Sequence, residues 1–170
     1  MADNRPIGVM DSGFGGMSTL KTLREILPRE SFVFWGDNAH APYGVHTARE
    51  IGYPPEQLFK TLVLHGERTG YFVCCIPCGE EVDLRLAAKA AGDKKAEMLP
   101  MKALLPVTGY IRGGCSPVGM KKKFPTFFDE TAELFDEIAV SSGMRGTMLR
   151  LSPRQLIEYV GAKLAPLTAE

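Results

Sequence analysis

Leu58-Phe59-Lys60-Thr61-Leu62-Val63-Leu64, His65-Gly66-Glu67-Arg68-Thr69-Gly70 and Tyr71-Phe72-Val73-Cys74-Cys75-Ile76 follow one another without a break. The outer two runs are rich in the β-branched and aromatic side chains that suit a pleated surface. The polar run between them, with glycine near either end, is too short for a helical crossover and predicts a hairpin. Further short strands are expected at Glu97–Leu99, Phe124–Phe128, Ile138–Ser141 and Thr147–Leu151. Asp83 is placed to N-cap a helix through Ala91, with Gly92 to end it in the left-handed conformation. Ser152, Pro153 and Gln155 form a helix start with a capping box, and Leu156, Val160 and Leu164 give that helix one apolar stripe. Short strands with interspersed helices, joined by hairpins, predict an α+β fold.

Upstream the texture differs. Pro6–Met10 reads as a strand and leads into the turn Asp11-Ser12-Gly13-Phe14-Gly15-Gly16. Leu20, Leu23, Ile26 and Leu27 then recur at helical spacing until Pro28, predicting a helix over Ser18–Leu27. Ser31–Trp35 is a second strand, so the order is that of an opening βαβ unit. Thr47–Ile51 is expected to form a short helix.

The 170 residues carry 20 Lys+Arg against 20 Asp+Glu, with 45% apolar and 24% charged residues. This is a globular composition able to bury a core, which excludes wholesale disorder. Zero formal charge excludes a strongly basic nucleic-acid binder of the DNA-coating kind, but leaves room for a local basic patch. No apolar run reaches the eighteen or so residues of a membrane helix. The polar opening Met1–Arg5 has no signal-peptide pattern, and a cytoplasmic location without membrane partners is expected. Four clustered cysteines do not make a disulfide framework. Cys75-x-x-Cys78 lacks two further ligands at zinc spacing and reads as buried apolar filling, so neither metal nor cofactor is expected.

Two stretches resemble known families. Ile7-Gly8-Val9-Met10-Asp11-Ser12-Gly13-Phe14-Gly15-Gly16 and Gly36-Asp37-Asn38-Ala39-His40-Ala41-Pro42-Tyr43-Gly44 are similar to the start of glutamate racemase. The thiol motifs of that family, Ala-Cys-Asn-Thr and Gly-Cys-Thr-His, are missing from this chain, so a racemase-like isomerase is the least favoured function. From about Tyr43 onward the chain resembles the YbaK/EbsC aminoacyl-tRNA deacylases. Pro55–Val63 is similar to their Lys-Thr strand. Thr108-Gly109-Tyr110-Ile111-Arg112-Gly113-Gly114-Cys115-Ser116-Pro117-Val118-Gly119 is similar to their glycine loop. Between and after these lie Lys94-Lys95-Ala96-Glu97-Met98, Phe124-Pro125-Thr126 and Val140-Ser141-Ser142-Gly143-Met144-Arg145-Gly146.

The resemblance implies a mixed, barrel-like β-sheet with surrounding helices over residues 45–170, with the racemase-like residues 1–44 packed onto it. It also implies hydrolysis of mischarged tRNA, most characteristically Cys-tRNA(Pro), in trans and beside prolyl-tRNA synthetase. In the implied route the cysteine thiol of the substrate attacks its own ester carbonyl. Met148 stands where the family carries an acidic residue, which leaves open a catalytically impaired module that binds aminoacyl-tRNA or a partner.

Candidate residues follow from both readings. Lys60 interrupts an apolar strand; alone it would be an edge-strand lysine, and with the resemblance it becomes a contact to the ester or terminal ribose. Thr61 faces the opposite way by strand alternation and alone reads as a core-edge hydroxyl, while the resemblance implies a substrate-binding position there. Gly113 and Gly114, with Ser116, form a loop whose bare backbone N–H groups could face a carbonyl, although no His–acid pair is placed to make Ser116 a nucleophile. His40, Tyr43, Ser141 and Arg145 are implied as substrate-pocket positions. Arg112, Lys121, Lys122 and Lys123 are either a solvated charge run or a cationic rim for the tRNA acceptor end, with Lys94 and Lys95 as further candidates.

Overall fold

The computed structural model describes residues 7–11, 21, 23–25, 32–36, 53–144 and 147–169. Its strands are β1 (Ile7–Asp11), β2 (Phe32–Gly36), β3 (Leu58–Gly66), β4 (Gly70–Pro77), β5 (Ala96–Met98), β6 (Thr126–Asp129), β7 (Ile138–Ser141), β8 (Met148–Leu151) and β9 (Lys163–Ala165). Helices α1 (Leu84–Ala91), α2 (Met101–Thr108) and α3 (Pro153–Val160) are interspersed, along with short 3-10 turns at Pro55–Gln57 and Glu130–Leu134.

The hairpin is the centre of the sheet. β3 and β4 pair antiparallel from Phe59↔Pro77 to Gly66↔Gly70. The turn is held by Asp93, whose Oδ2 accepts from the N–H groups of Arg68 and Thr69 and from the Thr69 hydroxyl. A side chain at Gly66 would collide with both Thr69 and Asp93, so this turn requires glycine there. The described strands form one mixed nine-stranded sheet in the order β2-β1-β8-β7-β3-β4-β6-β9, with β5 paired to the far end of β3. The class is the expected α+β, with a mixed, barrel-like sheet and helices around it.

Strand alternation divides the apolar residues between two faces. Phe59, Val63, Val73, Cys75, Phe128, Ile138, Val140 and Leu149 share one core with Leu156 of α3, partly buried Leu104 of α2, and Cys115 of the glycine loop. Leu64, Phe72, Cys74, Ile76 and Phe127 meet Ala87 and Ala88 of α1 on the other. β4, covered on both faces, is buried continuously from Phe72 to Pro77, as the near-unbroken apolar run predicts.

The helix boundaries follow local chemistry in part. Asp83 caps α1 through Arg85 N–H and Leu86 N–H, and Gly92 ends it at φ 76°. Ser152 is the N-cap of α3, but its side chain makes no capping bond, so the expected capping box is not formed. The stripe Leu156, Val160, Leu164 predicts a helix running past residue 161. Instead Gly161 adopts φ 68° and stops it, and Leu164 pairs with Phe128 in β9. Helix α2 lacks a sequence signal because Pro106 lies inside it. With only eight residues, that proline removes a single ladder bond, which flanking packing tolerates.

Near the N-terminus, β1 and β2 are parallel, as a βαβ opening requires. Lys21 and 23–25 are helical within the expected helix over Ser18–Leu27, and Leu23 is buried in the larger core. β1 joins the sheet by antiparallel pairing with β8, with Gly8↔Arg150, Val9↔Leu149 and Met10↔Met148 in register. The expected helix at Thr47–Ile51 lies outside the described residues.

Candidate functional site

The start of β3, the end of β4, α2, the glycine loop and the β7–β8 edge enclose a cavity of about 510 Å³. Lys60, Thr61, Arg112, Gly113 and Ser141 border it. These residues lie up to eighty-one positions apart in the chain, and the sheet order brings them together: β7 lies beside the start of β3, pairing Leu58↔Ala139 and Phe59↔Val140.

Lys60 is half-buried at the mouth. Its Nζ donates to the main-chain carbonyl of Cys78, at 3.3 Å, and to that of Glu80. Two of the three ammonium donors are thereby taken by carbonyls just past the end of β4. Thr61 lies on the opposite face of β3 from Lys60, as alternation predicts; its Oγ1 accepts from the Cys75 thiol at 3.8 Å, and it too borders the cavity.

The glycine loop is rigidified from within. Thr108 Oγ1 accepts from the Tyr110 N–H, the Tyr110 hydroxyl donates to the Val118 carbonyl, and the Gly114 N–H donates to the Ile111 carbonyl. Gly113 adopts φ 81°, a left-handed conformation that glycine adopts without strain. The Tyr110 ring lies within 3.2 Å of where a Gly143 side chain would begin, which locks the loop onto the β7–β8 connection. Ser141, opposite Met148 in the ladder, accepts from the Gly143 N–H. Ser116 is fully buried, its Oγ accepts from the Val118 N–H, and neither it nor Gly114 borders the cavity.

The remaining lining is apolar. Leu62, Met98, Leu99, Met101, Leu104 and Met148 contribute, together with the thiols of Cys78 and Cys115. Burial pushes the Cys78 and Cys115 thiols up to about 11 each, with Lys60 partly opposing the effect at Cys78. Both therefore stay protonated near neutral pH. Cys74 is pushed up to about 12 and Cys75 further, again by burial. No acid and no histidine borders the cavity among the described residues, so nothing there forms a nucleophile–base pair. The described residues also contain no group of three or more His, Cys, Asp or Glu placed to hold a metal ion.

Of the basic candidates, Arg112 borders the cavity, and Lys121, Lys122 and Lys123 are exposed on the segment that follows the glycine loop. The Lys121 stem lies over the C-terminus of α2, with Cδ 3.6 Å from the site of a Gly109 side chain. Lys95 instead borders a separate hollow of about 300 Å³ with Glu67 and Glu97, two acids that offset its charge. His40, Tyr43 and Arg145 lie outside the described residues. Sequence reading did not pick out Cys78, Met98, Met101 and Leu104 as lining. Their only signal is apolar character near the two motifs, because helix α2 was not legible.

Residues 44–159 match the family model described as aminoacyl-tRNA editing domain. EbsC of Enterococcus faecalis, provisionally named a Cys-tRNA(Pro)/Cys-tRNA(Cys) deacylase, is 46% identical over 123 residues, spanning 72% of this chain and 75% of that protein. A crystal structure provisionally described as a trans-editing enzyme for prolyl tRNA synthetase superposes with a TM-score of 0.70 at 25% identity, over 78% of this chain and 83% of that one. The glutamate racemase of Lactobacillus acidophilus is 61% identical over 49 residues, which is 29% of this chain and only 18% of the racemase. Among the described residues no helix is long and apolar enough to cross a membrane.

Proposed function

The chain belongs to the aminoacyl-tRNA editing domain family, and from that premise we propose that it clears cysteine from mischarged tRNA, with Cys-tRNA(Pro) as the preferred substrate. The observation that carries this reading is the cavity itself, which a carbonyl-anchored ammonium and the glycine-loop backbone both border and where the described residues include no activated nucleophile. A site of that kind suits a substrate that brings its own nucleophile.

The aminoacyl ester enters with its carbonyl between Lys60 and the backbone at Gly113. The third N–H of Lys60 polarises the ester end, and the cysteine side chain lies on the apolar wall of Met148 and Leu104. The substrate sulfur bonds to its own carbonyl carbon, the ester C–O bond breaks, and the thiol proton passes to the departing ribose oxygen. Water then opens the four-membered thiolactone to free cysteine. The protein supplies orientation and charge stabilisation, which together account for large accelerations without covalent participation. Ser141 shapes the wall opposite Lys60, with His40, Tyr43 and Arg145 assigned to the same substrate pocket. Gly114 and Ser116 act at one remove, by holding the shape of the loop. Arg112 and the Lys121–Lys123 run draw in the acceptor end electrostatically.

Editing in trans explains why such an enzyme is useful, since a synthetase pocket cannot strongly reject a near-isostere of its own amino acid. Cooperation with prolyl-tRNA synthetase in the cytoplasm fits a neutral protein whose cationic rim is small. We assign residues 45–170 to the editing domain and 1–44 to a racemase-like segment, a division supported by the pairing of β1 with β8. Incubation with radiolabelled Cys-tRNA(Pro) decides the matter. Loss of the ester with release of free cysteine is expected, whereas protection of the ester overturns hydrolysis in favour of a binding module.

A further inference from the structure

Helix α2 turns one face to solvent at the lip of the cavity. Met101 and Leu105 stand one turn apart on that face, 54% and 55% exposed, and Met98 and Ile111 flank them at 42% and 46%. Met98 and Met101 also line the cavity, so apolar surface exposed to solvent begins at its lip. Cations surround it. Lys102 is exposed on α2 itself, Arg112 borders the cavity, and Lys121 lies over the C-terminus of the helix at Gly109.

We propose that this face of α2 is a docking platform for the unpaired 3′-terminal bases of tRNA, with Met101 and Leu105 contacting the base faces while Lys121 and Arg112 meet the adjoining phosphates. The proposal rests on the reading of the cavity as the ester site. Once an aminoacyl ester lies between Lys60 and Gly113, the nucleotides attached to it must leave across the lip, and the lip offers apolar surface next to positive charge. Flat bases joined by anionic phosphates have that same pairing of chemistries, and single-stranded nucleic acid is commonly held by a cationic groove with an apolar or aromatic floor. Methionine suits the task because its unbranched thioether adapts to either a purine or a pyrimidine. Apolar side chains exposed beside a cavity are a mark of a binding surface.

The test measures binding of an RNA minihelix ending in single-stranded ACCA, by fluorescence anisotropy across a salt series. Both positions are exposed and alanine favours a helix, so M101A/L105A should keep its thermal midpoint. The double variant should bind about tenfold more weakly, with the slope of log affinity against log salt unchanged. K121A should instead reduce that slope by about 0.7. A minihelix with abasic residues at its last two positions should bind wild type and double variant equally. Unchanged affinity of the double variant, or an equal loss with the abasic RNA, overturns the platform. So does a sedimentation result in which M101D/L105D converts a dimer to a monomer without altering RNA affinity, which assigns the face to a second copy of the chain. Binding needs no turnover, so the readout is separable from the editing reaction. Intact ester together with base-dependent affinity rejects only the hydrolysis, and cleared ester without it rejects only the platform.

Discussion

Replacing Lys60 with methionine removes one charge while keeping a stem that fills similar space. In the native protein the ammonium is anchored by the carbonyls of Cys78 and Glu80. A unit charge about 4 Å from a full oxyanion is worth about 4 kcal/mol at an effective dielectric of about 20. Lys60 is only half-buried and the ester oxygen gains part of a charge, which halves the figure to about 2 kcal/mol. That corresponds to a loss of about 30-fold in kcat/KM for Cys-tRNA(Pro) deacylation. Stability should suffer less. The released carbonyls lie near solvent and regain water, so the net cost is about 1 kcal/mol and the melting midpoint falls by about 2–4 °C. K60R keeps the charge, but its planar fork cannot repeat the two-carbonyl anchor, and it should recover part of the activity. The assay is single-turnover release of labelled cysteine, paired with a thermal melt by circular dichroism. K60M that melts normally and deacylates within threefold of wild type would refute the role given to this ammonium.

Three further outcomes are expected. G113A forces a side chain into a left-handed conformation at the cavity wall, so it should cost about 1 kcal/mol in stability and lower kcat more than it raises KM, measured by melt and steady-state kinetics. C78S and C115S should retain deacylation within a few-fold, because the thiols they remove are held protonated; an activity loss above about 100-fold in either would identify a protein nucleophile. Asp93 is held well below the usual carboxylate range by main-chain N–H bonds from Arg68, Thr69 and Lys94 and by the Thr69 hydroxyl. Its native value lies under its unfolded value near 3.9, so the stability it contributes is present above about pH 4 and lost as pH falls further. D93N should therefore flatten the acid limb of the stability curve below about pH 4 in urea titrations at successive pH values.

Hairpin, helix α1 and the class of the fold were legible because each rests on local chemistry. The β3–β4 runs combine β-favouring side chains with a connector too short for anything but a turn, and Asp83 and Gly92 cap α1 by bonds within a few residues. Where the local signal and the tertiary context competed, the context won. Gly161 overrode an apolar stripe that continued to Leu164, since a left-handed glycine ends a helix whatever lies beyond it, and the edge of β6 was available to receive Leu164 in a strand. Helix α2 was hidden by Pro106, and with it the apolar half of the cavity lining.

Sequence by itself determined the residue types and their order: a lysine in an apolar strand, two glycines before Cys115-Ser116-Pro117, and an opening that matches a different family. Tertiary structure alone decided which of them share a space. Lys60 and Gly113 stand fifty-three residues apart, and no local rule relates them. They border one cavity because β7 pairs in parallel with the start of β3 and the Tyr110 ring seats the glycine loop on Gly143. Strand pairing and side-chain packing are long-range, cooperative interactions whose partners the linear order does not specify, so the site came into view only once the sheet was assembled.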